Sequence, residues 1–200
     1  MALISLAVFY SCEKPINPIE TDYVLLGGVK WAKTNLCKPK TFAKSNEETM
    51  YFQWNSKYDW TEIDTIIPID TTVLYWEKKN DPCPDGWRVP NAIEVDYLMH
   101  LARSFGNQDG VDGVFLHQDE ENMIFFPYTG HNIHEFYEPE GLDYGMPISY
   151  FWTNESYTSH LAISAIIYNP YYYMPDSYPK FAFTTPTKHA SLPIRCVKEN

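Results

Sequence analysis

Cys83-Pro84-Asp85-Gly86-Trp87-Arg88-Val89-Pro90 sets several uncommon commitments side by side. The cysteine asks for a partner. Pro84-Asp85-Gly86 has the residue types of a chain reversal. Trp87 brings a large apolar ring with one N–H to satisfy, and Arg88 brings a guanidinium that keeps its charge. Pro90 disfavours helix at Val89. Asn91 can then cap a helix, with Glu94 three residues on, the spacing of a capping box. The stretch reads as a corner where a covalent tie, a core anchor and a helix start meet. It carries no catalytic signature.

Outward from that corner, the pattern predicts a helix over 91–105. Ile93, Tyr97, Leu98, Leu101, Ala102 and Phe105 fall on one face at 3.6-residue spacing, and Gly106 ends the run. Before the corner, 23–26, 29–36 and 49–54 read as strands, with Trp31 inward and 38–48 as a polar loop. Segments 63–69 and 71–76 are β-rich, and Pro68 confines the first to an edge or loop. After the helix comes a Gly/Asp-rich acidic loop, 107–122. Strands are then expected at 123–127, 150–153, 161–168, 181–184 and 194–197. No internal repeat or second core is evident.

The length, 200 residues, suits one domain over 23–200. Sixteen tyrosines, six tryptophans and fifteen prolines favour short strands and ordered loops over a helical bundle. A net charge of −11 argues against nucleic acid as a partner, because phosphate binding rests on Lys and Arg. It equally disfavours electrostatic docking on anionic lipid.

The four cysteines are Cys12, Cys37, Cys83 and Cys196, with no C-x-x-C pair. Residues 2–10 form an apolar run too short to span a bilayer and suited to a secretory signal. Phe9-Tyr10-Ser11-Cys12 resembles a bacterial lipoprotein cleavage box, which makes Cys12 the expected lipidation site. The expected organisation is a signal segment at 1–11, a Pro-containing tether at 12–22, and the domain.

The blocks along the chain resemble the Fibrobacter succinogenes major paralogous domain family. Trp31-Ala32-Lys33-Thr34-Asn35-Leu36 matches its opening Trp-x-x-x-Asn-Leu. Phe52-Gln53-Trp54 matches an aromatic-x-Trp block, and 83–90 matches the strongest motif in full. Phe126-Pro127-Tyr128-Thr129-Gly130, Phe151-Trp152-Thr153-Asn154-Glu155 and Ile194-Arg195-Cys196-Val197 follow later blocks. Val95 stands where the family usually has Trp. The resemblance implies an α+β, C-type-lectin-like fold: small antiparallel sheets, one or two flanking helices and long ordered loops. It implies that Cys83 pairs with Cys196, and that the protein sits in the outer membrane or on the cell surface of a Gram-negative bacterium. It implies no agreed enzymatic activity and no cofactor.

Candidate chemistry is thin. His131 and His134, with Glu138, have the wrong order and spacing for a helical zinc site. Asn107, Asp109 and Asp112 fail the calcium-loop offsets. Glu138-Pro139-Glu140 and 152–155 are only fragments of a lectin calcium set. Cys37 reads as a small buried thiol left free. Arg88, Arg195, Glu94 and Glu155 suit buried ion pairs, since a buried guanidinium requires acceptors. The long loops are 106–122, 131–149 and 168–179. The last carries Asn169, Tyr171, Tyr172, Tyr173 and Asp176, and with Trp152 and Asn154 these are the expected ligand-binding residues. Exposed tyrosines give rigid amphipathic area. The expected function is non-enzymatic adhesion to glycan or host-matrix ligands, with membrane contact through the N-terminal lipid only. The alternative is a structural or partner-binding subunit of a surface or fimbrial assembly.

Overall fold

The computed structural model describes residues 23–58, 68, 70–129, 147–169 and 179–199. Along the chain, β1 (Tyr23–Leu26), β2 (Val29–Ala32), β3 (Leu36–Lys38), β4 (Thr41–Phe42), β5 (Phe52–Gln53) and β6 (Trp87–Arg88) precede the helix α1 (Ala92–Met99). After it come β7 (Ala102–Gln108), β8 (Val111–His117), β9 (Met123–Pro127), β10 (Ile148–Ser156), β11 (Ala162–Tyr168), β12 (Lys180–Thr184), β13 (Ser191–Leu192) and β14 (Val197–Lys198). The architecture is α+β, built from small antiparallel sheets with a single helix among the described residues. One sheet has the order β1-β2-β14-β6, a second β7-β8-β9 and a third β10-β11-β12, with β13-β5 and β3-β4 as minor pairs.

Strands β10 and β11 of the third sheet are buried on both faces. Tyr150, Trp152 and Ile166 face one apolar cluster with Trp54, Trp87, Leu192, Ile194 and the Cys83 and Cys196 sulfurs. Phe151, Ala165 and Ile167 face another, with Trp31, Val95, Leu98, Val114 and Phe126. Alternation sends neighbouring side chains to opposite faces, so a strand covered on both sides reads as an unbroken apolar run. That is why the sequence pattern shows one core where the structure has two.

The segment before β14 holds the sheets together. Ala32 N–H donates to the Cys196 carbonyl (2.9 Å), Leu36 N–H to the Ile194 carbonyl (3.2 Å) and Trp152 N–H to the Pro193 carbonyl (3.1 Å). Arg195, fully buried, reaches sideways from this segment. Its Nε donates to Asn35 Oδ1 (2.8 Å), one terminal nitrogen to the Ala32 and Lys33 carbonyls (3.2 and 2.6 Å), and the other to the Phe125 carbonyl (3.1 Å). The guanidinium also lies over the Phe126 ring, 4.6 Å from its centroid. The expected ion pair at Arg195 is therefore corrected: backbone and amide oxygens, not a carboxylate, satisfy it. Burial pushes this guanidinium down to about 9, so it remains charged at neutral pH.

The helix is shorter than expected. It ends at Met99, and residues 102–108 form β7 instead. Asp109 and Gly110 both have positive φ (57° and 84°), the two-residue hairpin turn that Asp-Gly favours, and Gln108 pairs with Val111 across it. The expected loop at 106–122 is mostly this hairpin. Gly106 is no helix cap: it lies opposite Gly113 in β8, and a side chain added at either glycine would collide with the Phe115 ring or with the Phe126 carbonyl and Phe125 ring. Only Val95 and Leu98 of α1 are buried, and Ile93 and Tyr97 are exposed. Segment 29–36 splits into β2 and the start of β3, the expected loop 38–48 includes β4, and most of 63–69 lies outside the described residues.

Arg195→Met should therefore unfold the domain more easily by about 3–5 kcal/mol in urea titration, because each abandoned buried acceptor costs roughly 1–3 kcal/mol. Arg195→Lys should recover little of this, since one ammonium cannot reproduce the planar fork. A loss under about 1 kcal/mol for Arg195→Met would contradict the role given to this side chain.

Candidate binding surface

The Cys83–Cys196 disulfide forms, with Cα atoms 6.0 Å apart and a sequence separation of 113 residues. It ties the corner to the central segment. Asp81 shapes the approach: Oδ1 accepts from Cys83 N–H (2.8 Å) and Oδ2 from Val89 N–H (3.1 Å). Lys40 Nζ donates to the Cys83 carbonyl (2.6 Å). The sequence reading misses the Asp81 role, although an aspartate two residues before the amide it binds is the pattern of an Asx turn. Burial pushes the Asp81 carboxyl above the usual aspartate value, against the lowering effect of its two N–H donors.

The capping box forms as its spacing suggests. Asn91 Oδ1 accepts from Glu94 N–H and Glu94 Oε2 from Asn91 N–H, both at 2.8 Å. Arg88 grips the same carboxylate with two bonds, of 2.8 and 2.6 Å, so the expected pair at Arg88 and Glu94 is present and part-buried. Hydrogen bonding to Glu94 raises the Arg88 guanidinium further. Glu155 differs from expectation: its Oε1 accepts from Ala92 N–H (3.0 Å), placing a carboxylate on the helix N-terminus rather than on an arginine.

Four exposed apolar side chains lie on the segments that meet at Glu155. Tyr75 bridges to Glu155 in antiparallel fashion, and Ser156 N–H donates to the Leu74 carbonyl (2.8 Å). Leu74, Tyr75, Tyr157 and Ile93 expose 65%, 63%, 63% and 81% of their area. Beneath lies Lys188, fully buried, with Nζ donating to the Val73 carbonyl (3.1 Å) and standing 4.5 Å from the Trp54 ring centroid. Burial lowers its pKa. Nothing in the spacing around Lys188 signals this position.

At the opposite end of the third sheet, Ile148, Tyr168 and Lys180 stand side by side in register. The start of β10, the end of β11 and the start of β12 therefore lie at one end of this sheet. Of the expected ligand-binding residues, Tyr171, Tyr172, Tyr173 and Asp176 lie outside the described residues. Asn169 is buried at the end of β11. Trp152 is a core residue: it is fully buried, and its indole N–H donates to the Phe52 carbonyl (2.7 Å). Asn154 lies where the β10–β11 register shifts, its N–H donating to the Pro90 carbonyl and its own carbonyl accepting from Trp76 N–H, while its buried Oδ1 has no partner among the described residues. Among the described residues of this set, Asn169 and Trp152 are buried and Asn154 is half-buried.

Cys37 is disulfide-bonded, which corrects the expected free thiol. Cys12, His131, His134, Glu138 and Glu140 lie outside the described residues. Asn107 Nδ2 donates to Asp112 Oδ1 (2.8 Å) within the hairpin, and Asp109 Oδ2 accepts from the Asn46 side chain (3.0 Å). Among the described residues, no group of His, Cys, Asp or Glu could hold a metal ion, and no helix is long and apolar enough to cross a membrane. No family model, curated protein or solved structure matches the chain.

Asp81 has a pH consequence. Its folded-state pKa lies above the unfolded one, so its contribution to stability is fully present below the ordinary aspartate value and is lost as pH rises through the raised value. The stability difference, wild type minus Asp81→Asn, should shrink across this window in denaturant titrations. A difference that grows with pH there would refute the assignment.

Proposed function

We propose that this is an exported, non-enzymatic binding domain of C-type-lectin-like fold, recognising glycan or host-matrix ligands at the cell surface. The observation that carries the reading is the register of Ile148, Tyr168 and Lys180, which brings the described residues that follow segment 130–146 and flank segment 170–178 to one end of the third sheet. Binding residues concentrate on loops held by a rigid scaffold. One of these segments is the tyrosine-rich stretch with Tyr171, Tyr172, Tyr173 and Asp176. Tyrosine rings stack on sugar C–H faces, and Asp176 supplies an acceptor for hydroxyls. The paired cysteines suit an oxidising compartment.

The second reading is a partner-binding subunit of a surface assembly. It is favoured by the Leu74, Tyr75, Tyr157 and Ile93 patch. Its aliphatic members suit protein side chains better than sugars, and clustered exposed apolar residues mark interaction sites.

Lipid anchoring at Cys12 belongs to the same proposal and competes with the disulfide at Cys37, because Cys83 and Cys196 already pair with each other. Acyl chains contribute about 0.8 kcal/mol per buried CH₂, enough in combination to hold an acidic domain at a membrane. A thiol that is acylated cannot also close a disulfide. Fatty-acid labelling should therefore tag the chain, and Cys12→Ser should remove the tag. A peptide map joining Cys12 to Cys37 would rule out the anchor.

A glycan array probed with the full chain separates the two readings. Binding that drops at least tenfold in Tyr171→Ala, Tyr172→Ala or Tyr173→Ala, with the melting temperature unchanged, is the expected result. No glycan binding, with partner capture abolished by Ile93→Asp, would favour the assembly subunit instead.

A further inference from the structure

β7 is the edge strand of the second sheet, and among the described residues it has one of the usual protections, the half-buried charge of Arg103. Sheets guard their edges with proline, bulges, inward charges or a covering segment. β7 pairs with β8 in an unbroken register from Ala102↔His117 to Gln108↔Val111, without a bulge. It contains no proline, and every one of its residues is exposed or half-buried. The partners of Ala102, Ser104, Gly106 and Gln108 follow from the tight turn, whose closing pair Gln108↔Val111 exchanges backbone bonds. Alternation then points the N–H and C=O groups of Arg103, Phe105 and Asn107 away from β8.

The same three residues share a face. Phe105 lies opposite Val114 and Arg103 opposite Leu116, both fully buried in the second core cluster. β7 therefore overhangs the core, and Phe105 remains 40% exposed on the core-facing side. Arg103 is half-buried, donates to the Met99 carbonyl (2.8 Å), and has no carboxylate within ion-pair distance among the described residues. Asp112, next to Asn107 on this face, has no cation within that distance either.

We propose that β7 pairs antiparallel with β7 of a second copy of this chain, about a two-fold axis through Phe105. In that register Phe105 meets Phe105 of the second copy, and Arg103 meets Asn107. All the outward backbone groups named above exchange bonds, because each of these pairs is of the hydrogen-bonded kind. The two Phe105 rings cover each other on the core-facing side. Arg103 of each copy reaches past Asn107 to Asp112 of the other, which gives both charges a partner. A single isologous strand pair is self-complementary and closed, so it yields a dimer and not a filament. The area is small for a stable dimer and the net charge of −11 opposes it. The dissociation constant is accordingly weak, on the order of 10–100 μM.

Sedimentation equilibrium of the full chain over a range spanning that constant tests the pairing. A monomer–dimer equilibrium is expected. Arg103→Glu should weaken it at least tenfold by setting two carboxylates together, and Arg103→Glu with Asp112→Arg should restore it. Circular dichroism melting checks that each variant folds, and Phe105→Ser, which keeps the strand but removes the ring contact, should weaken the dimer independently of charge. A chain that stays monomeric at the highest concentration would overturn the proposal. So would a dimer indifferent to both Arg103→Glu and Phe105→Ser.

Discussion

Asn35 Oδ1 and the carbonyls of Ala32, Lys33 and Phe125 all converge on the Arg195 guanidinium in the interior. Lys33 and Asn35 lie in the turn between β2 and β3, and the buried Asn35 side chain and the inward carbonyls of this turn need partners. Arg195 supplies several donors from one planar group, and the Phe126 ring beneath it offers its electron-rich face. Its neighbours extend the hold. Ile194 and Cys196 carbonyls receive Leu36 and Ala32, Cys196 is bonded to Cys83, and Val197 enters the first sheet between Trp31 and Arg88. The 193–197 stretch thus joins β2, β9 and the 83–90 corner. The corner in turn presents Asn91, whose cap, together with Glu155, sets the start of α1.

How far the sequence discloses this depends on whether the cause is local. The corner is legible because each of its signals acts within a few residues: a turn at 84–86, a proline at 90, and a capping pair three apart. The strands at 123–127 and 161–168 are legible because their apolar, β-favouring residues are contiguous in the chain. The helix end misleads because Leu101, Ala102 and Phe105 happen to continue the helical spacing. The decisive signal, Asp109-Gly110, lies beyond them and acts by folding 102–108 back onto 111–117. Gly106 stops no helix. Its missing side chain makes room for the Phe115 ring across the pair.

The candidate site is less legible than the fold. Trp152 resembles a ligand residue because tryptophans occur at binding faces, yet the strand that carries it is sealed on both sides, and its N–H is consumed by Phe52. Arg195 suggests a carboxylate partner because buried charge usually calls for opposite charge. Backbone oxygens contributed by segments distant in sequence meet the same need, and no pattern of side-chain types reports them. Lys188 is buried on the same principle, held by the Val73 carbonyl and the Trp54 ring. The Leu74, Tyr75, Tyr157 and Ile93 patch has no local signature, since it exists only where three separate segments meet at Glu155. The interior is fixed by cross-connections, and the proposed recognition surfaces fall at the ends of the third sheet and the outer edge of the second.

The 193–197 segment should be the last part of the domain to let go, which native-state hydrogen exchange can follow amide by amide. The amides of Ala32, Leu36 and Trp152, which donate to Cys196, Ile194 and Pro193, should exchange only through global unfolding, with opening free energies equal to one another and to the whole-domain stability measured in denaturant. Exchange of these three amides through a smaller opening, while β8 and β11 amides remain protected, would show that the segment detaches from a domain that stands without it.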